Sequence, residues 1–189
     1  ILRDVLELSR SQRESKRILA TKKVKVDGRV VVDHGRAVGL MDVLTVGDDN
    51  YRCILDTNGK LRYRAIPKKE ASAKLCRIIN KITIKGGKTQ YTLHDGRTFL
   101  SEVSDEYSSG DTLVVSLPDQ EISAHHPFEA GATAYMTGGS HVGETSKIKE
   151  IEIKRSTRPN EVVFDEFGTI AAYAFVIPDA KALPLEANS

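Results

Sequence analysis

Arg10, Arg13 and Arg17 recur three and four residues apart, the spacing that gathers side chains on one face of a helix. Lys16 flanks that face, and Lys22, Lys23, Lys25 and Arg29 follow it closely. A guanidinium donates through a planar fork and an ammonium through three rotatable protons, so such a cluster can neutralise several phosphates of one polyanion. Arg62, Arg64, Lys68 and Lys69 are the next candidates. Arg52, Lys74, Arg77, Lys81, Lys85 and Lys88 form a second rank, of which some must simply face solvent. The rival reading of the whole set is an ordinary solvated basic surface.

No other constellation competes. His125-His126 precede Pro127 without the Cys or His spacing a metal needs, so they read as a surface turn, and no metal or cofactor is expected. Asp95 is followed by Gly96 and reads as a turn residue rather than a nucleophile. Neither a Ser/His/Asp set nor paired carboxylates stand out, so the chain reads as a non-enzyme without a small-molecule substrate. Cys53 and Cys76 are too few for a disulfide framework and read as free thiols of a cytosolic chain. No apolar run approaches the roughly 20 residues of a membrane helix, and no membrane partner is expected. The chain opens at Ile1 rather than Met, so residues upstream are expected to be missing.

The formal charge of +2 over 189 residues hides a segregation. Arg10–Arg36 holds nine basic residues against three acids, and Tyr51–Lys88 holds eleven against two. From Phe128 to the end the balance reverses, to six basic residues against nine acids. The basic part suits a nucleic acid.

The elements that must position these cations fall into three parts. Residues 1–48 read as helix, helix, then strands. Ser11 and Glu14 have capping-box spacing, which starts a helix near Gln12 with Ile18 and Leu19 as its core contacts. Val24, Val26, Val30 and Val32 alternate around Asp27-Gly28, a hairpin signal, and Met41–Val46 adds a buried strand. Residues 49–127 read as a β-rich second domain. Its hairpin turns at Asn58-Gly59, and a helix is expected after Pro67 because Ala71, Leu75, Ile78 and Ile79 fall at helical spacing. Strands are expected at Lys81–Lys85, Gln90–Leu93 and Arg97–Leu100, with a further hairpin across Pro118-Asp119. Residues 128–178 carry four candidate strands and many glycines, which suggests a small barrel. The tail, 179–189, reads as flexible.

Two stretches resemble known modules. Ser11-x-x-Glu14-x-x-Arg17, then Lys23-Val24-Lys25-Val26-Asp27-Gly28-Arg29-Val30, then Met41-Asp42-Val43-Leu44, resembles the small RNA-binding domain first named for bacterial small-subunit ribosomal protein four. That domain implies a helix and a hairpin forming one basic RNA-facing surface, shared by ribosomal proteins, pseudouridine synthases and a tRNA synthetase. Ala134-Tyr135-Met136-Thr137-Gly138-Gly139-Ser140-His141-Val142-Gly143 resembles the KOW motif, an SH3-like barrel unit of ribosomal proteins and transcription elongation factors. In sequence, its glycines let the backbone turn and approach a partner closely.

The two modules together, with a basic middle containing Ile54-Leu55-Asp56-Thr57-Asn58-Gly59-Lys60 and His94-Asp95-Gly96-Arg97-Thr98, and with Phe175-Val176-Ile177-Pro178 near the end, resemble the archaeal and eukaryotic small-subunit ribosomal protein S-four-e family. The family usually carries a basic N-terminal extension and the start of the first module, which this sequence lacks. The resemblance implies an α+β, mostly β chain: a helix-plus-hairpin module, a central β-rich domain and a C-terminal KOW barrel. It implies a structural constituent of the small subunit in the cytoplasmic ribosome, with small-subunit ribosomal RNA and neighbouring ribosomal proteins as partners. A transiently bound KOW-containing factor and an RNA-modifying enzyme are the rivals.

Overall fold

Valine alternation and Asp-Gly or Asn-Gly turns act locally, and the first strands of the chain obey them. The computed structural model describes residues 1–103 and 106–178. The expected tail, 179–189, lies outside the described residues. The chain is mostly β, with one α-helix among the described residues, and divides into two compact units.

The first unit comprises Ile1–Leu55, Lys60–Lys74 and Val115–Ile122. Helix α1 (Gln12–Ala20) precedes strands β1 (Val24–Val26), β2 (Arg29–Val30), β3 (Val43–Val46), β4 (Asp49–Leu55) and β5 (Leu61–Ile66). These form one antiparallel sheet in the order β2-β1-β3-β4-β5. The tight β3–β4 connection pairs Val46 with Asp49, across the expected division at residue 48. Val24, Val26, Leu44 and Cys53 line one face and bury Leu19 of α1, with Ile18, Tyr51 and Tyr63 packed around them. A nine-residue helix is marginal alone. Burying Leu19 is worth about 1.5–3 kcal/mol, more than the roughly 1 kcal/mol of a good N-cap, so packing decides that the helix forms.

Two helical expectations fail. Ahead of α1 there are only turns, where the Val5 and Leu6 N–H groups share the Ile1 carbonyl. After Pro67 comes a single 3-10 turn, Glu70–Ser72, followed by strand β6 (Ala73–Thr83). Leu75, Cys76 and Ile78 are buried along that strand, so burial does not alternate and imitates helical spacing. Neighbours on both sides of β6, and a register shift between Ile78 and Asn80, cause this pattern.

The second unit comprises Asp56–Gly59, Leu75–Val114 and the chain from Ser123 on. Strand β6 runs for most of its length in this unit, where it pairs with β7 (Thr89–Leu93), which in turn pairs with β8 (Thr98–Ser101). With β9 (Thr112–Ser116) and β10 (Ile122–His126) they form a sheet in the order β10-β9-β6-β7-β8. The remaining strands make two three-stranded sheets. One joins β11 (Thr133–Met136), β12 (Thr145–Lys147) and β16 (Ala174–Ile177) in the order β12-β11-β16. The other orders β13 (Glu150–Glu152), β14 (Glu161–Val163) and β15 (Gly168–Ile170) consecutively. Ala134, Met136, Ile148, Val162, Phe164 and Val176 form one core shared by these two sheets.

Candidate nucleic-acid interface

Ser11 caps α1, its hydroxyl accepting the Glu14 N–H at 3.3 Å. The Glu14 carboxylate reaches back to the Arg10 N–H at 2.8 Å. The capping pair legible in the sequence therefore forms, and it puts Arg10 just ahead of the helix rather than on its face. With Leu19 and Ile18 turned to the core, Arg13, Lys16 and Arg17 are left exposed on the helix. In β1 the same logic has period two: Val24 and Val26 are buried and Lys25 points outward. Lys22, Lys23 and Arg29 are also exposed. None of these eight side chains, Arg10 to Arg29, forms an ion pair among the described residues.

The next rank is less uniform. Lys68 and Lys69 are exposed after Pro67, and on β5 Arg62 is exposed and Arg64 half-buried. Lys85 is exposed, but Lys88 pairs with Glu102 at 2.8 Å. Lys81 is half-buried, 3.5 Å from the Tyr107 carbonyl.

Two second-rank cations are buried inside the fold and a third, half-buried, is tied to its backbone, which corrects the expectation that they meet RNA. Arg52 is buried and donates to the Glu70 and Ala73 carbonyls at 2.8 and 2.9 Å. Burial pulls its guanidinium below the usual arginine range, while Glu70 and Asp27 pull it back up. Arg77 donates to the Ala171 and Ala172 carbonyls. Lys74 has a fully buried side chain, its Nζ 2.9 Å from Asp27 Oδ2 and 2.5 Å from Asp42 Oδ1. Asp27 Oδ1 also accepts the Val43 N–H at 2.9 Å. The tip of the basic hairpin is thus fixed within its own unit, and its strands carry the free cations. A pair 47 residues apart leaves no local signal, so the sequence shows Asp27 only as a turn residue and Lys74 only as part of a basic run.

The other candidates resolve as structural, although His125 and His126 end strand β10 rather than forming the surface turn expected. His125 Nε2 lies 2.8 Å from Asp111 Oδ2, and Asp111 also accepts the Ser108 and Phe128 N–H groups. No group of three or more His, Cys, Asp or Glu suited to a metal occurs among the described residues. Asp95 accepts the Arg97 N–H at 3.1 Å and pairs with its Nε at 3.2 Å, as a turn residue does. The glycines between β11 and β12 are used internally. A Cβ on Gly143 would lie 2.6 Å from the Asp56 carbonyl group, and one on Gly138 would lie 2.8 Å from the Tyr173 ring. No helix among the described residues is long and apolar enough to cross a membrane.

Such a site can bind a polyanion. Comparison with known proteins points the same way. The model of ribosomal family S4e matches residues 47–122. The chain is 43% identical over 197 residues to small ribosomal subunit protein eS4 of Methanocaldococcus jannaschii, covering 97% of this chain and 80% of that one. It is 43% identical over 184 residues to the eS4 protein of Methanothermobacter thermautotrophicus, covering 94% and 75% respectively. The crystal structure of 30S ribosomal protein S4e from Thermoplasma acidophilum superposes with a TM-score of 0.85 at 40% identity, covering 96% of this chain and 93% of that one.

Proposed function

The chain belongs to ribosomal family S4e, and from that premise we propose that it is a structural constituent of the small ribosomal subunit that binds ribosomal RNA and supports translation. It is not an enzyme; its work is to hold RNA. The observation that carries the binding reading is the set of eight exposed cations on and beside α1 and the β1–β2 hairpin, free of ion pairs among the described residues. Arg10, Arg13, Lys16, Arg17, Lys22, Lys23, Lys25 and Arg29 neutralise phosphates and release counterions. Arg62, Arg64, Lys68 and Lys69 extend the contact. Specificity comes from presenting these groups on rigid elements that fit folded RNA, because phosphate contacts alone carry no base information.

The three sequence parts keep their roles in this proposal. Residues 1–48 are the RNA-gripping module, 49–127 the central β-rich part, and 128–178 an SH3-like KOW barrel. The two three-stranded sheets with one shared core support the last assignment. Small-subunit ribosomal RNA and neighbouring ribosomal proteins are the partners. Sedimentation through a moderate-salt gradient tests the reading: the tagged chain should co-migrate with small subunits, and its release to the top of the gradient would favour a transient factor instead.

A further inference from the structure

We infer that a groove in the second unit seats one unpaired nucleotide of ribosomal RNA, its base against apolar walls and its phosphates on Arg155 and Arg158, an inference that rests on the ribosomal reading above. The groove encloses about 350 Å³ and takes Ile79, Phe128, Ile151, Ile153 and Asn160 among its walls. That volume is near the lower end of the roughly 300–1,000 Å³ of ligand clefts, enough for one nucleobase and too small for a duplex. Two wall side chains are left in water: Ile153 is 76% exposed and Ile79 is 53% exposed. Ile79 falls at the register shift of β6, which turns it outward beside buried Ile78. Ile153 follows β13 and shares the parity of Ile151, which packs on the core. An unstacked base presents a flat apolar face to such walls, and half-buried Phe128 adds an aromatic ring to them.

Charge selects the occupant. Among the described residues the groove lining carries one formal charge, that of Arg77, and no carboxylate. The Arg77 guanidinium donates to the Ala171 and Ala172 carbonyls and has no acidic partner among the described residues, so it sets the sign of the wall. Glu129, exposed beside Phe128, is not among the lining residues. Glu150 and Glu152 alternate to the opposite face of β13 from Ile151 and Ile153. Beyond the facing residues Glu152 and Glu161, the chain leaves the groove wall at Ile153 and returns to it at Asn160. The loop between them holds Lys154, Arg155 and Arg158 and no acid. Lys154 pairs with Glu161 at 2.5 Å, which leaves Arg155 and Arg158 exposed and without an ion pair among the described residues. Two internal bonds hold this loop: the Lys154 N–H donates to Asn160 Oδ1 at 3.0 Å, and the Arg158 N–H to Ser156 Oγ at 3.2 Å. A nucleotide joins a flat apolar group to a fixed negative charge within one residue, and the groove with its bordering arginines offers the matching pair of surfaces.

The test uses small subunits assembled with the full chain carrying a photo-crosslinking benzophenone amino acid at Thr157, exposed on the loop between the two arginines. The expected result is a cross-link to an unpaired nucleotide of ribosomal RNA. Replacing Arg155 and Arg158 together with Glu should cut its yield at least about tenfold, since attraction to phosphate becomes repulsion. Ile79→Asp with Ile153→Asp, at two exposed positions, should cut it to a similar extent by placing carboxylates in the groove. Cross-links from position 157 to protein, a cross-linked nucleotide that is base-paired, no cross-link at all, or a yield indifferent to either pair of substitutions would each overturn the inference. If the parent chain does not sediment with small subunits, the ribosomal reading itself falls and takes this inference with it.

Discussion

Arg13 and Arg17 stand one turn apart on α1, exposed and without an acidic partner among the described residues. Replacing both with alanine should weaken RNA binding and lower the slope of log K against log salt by up to about 2, since each phosphate contact contributes somewhat less than 1. Filter binding at several salt concentrations reads this directly, and an unchanged slope takes the helix out of the interface. Lys74 is the opposite kind of cation. Lys74→Met would strand the Asp27 and Asp42 carboxylates and should cost about 3–5 kcal/mol, seen as a lower urea midpoint. Adding Asp27→Asn and Asp42→Asn should recover much of the loss, because asparagine tolerates the positive φ of 50° at position 27. Cys53 gives a pH signature. Burial pushes its thiol up to about 11 from an ordinary 9.0, a rise that the Tyr63 hydrogen bond only partly offsets. Between those values the unfolded chain loses the thiol proton and the folded chain keeps it. Stability should therefore fall as pH rises through that window, by at most about 1.4 kcal/mol per pH unit. Urea titrations of Cys53→Ala beside the parent isolate this part of the alkaline loss.

At the level of elements, the chain joins pieces whose local code is plain to pieces whose code is not. Asp27-Gly28 and Asn58-Gly59 are readable as hairpin turns, and β1–β2 and β4–β5 form around them, because positive-φ turn residues act within a few bonds. The gap between β11 and β12 reads in sequence as a loop built for a partner, and its glycines instead admit neighbours from the same unit. Gly143 has φ +84° and lies against the Asp56 and Thr57 backbone; Gly86 has φ +87°, and a Cβ added there would meet nothing within 4 Å. Gly86→Ala should therefore cost only the conformational strain of about 1–2 kcal/mol. Gly143→Ala should cost distinctly more, since backbone cannot step aside. Thermal melts of the two variants compare these costs, and equal losses would remove the close packing at Gly143 as a constraint.

For the whole molecule, the formal charge of +2 is a poor guide to binding. Cations gather in the first half of the sequence, whereas the later part carries Glu129, Glu150 and Glu152, exposed and without an ion pair among the described residues. Eight phosphate contacts from the first module would make RNA affinity fall roughly 10³- to 10⁵-fold between 50 and 200 mM salt. A fall of less than about tenfold over that range would mean that few of the eight cations reach phosphate. The measurement needs the full chain with small-subunit RNA, because the expected steepness comes from the summed cluster and no single side chain supplies it.

Composition, turn chemistry and short periodicities determined the mainly β character, the start of α1, the hairpins and the abundance of cations in the first two sequence parts. These are properties of neighbours in the chain, and the chain alone displays them. Tertiary structure decided which cations remain available. Arg52, Lys74 and Arg77 belong to the same basic run as Lys68 and Lys69, yet folding buries Arg52 and Lys74, ties half-buried Arg77 to backbone carbonyls and leaves the last two in water. It also turned the stretch after Pro67 into a strand, because pairing partners far away in sequence outweigh a local helical spacing. Burial and long-range pairing depend on which segments meet in space, and that meeting is not encoded at any one position.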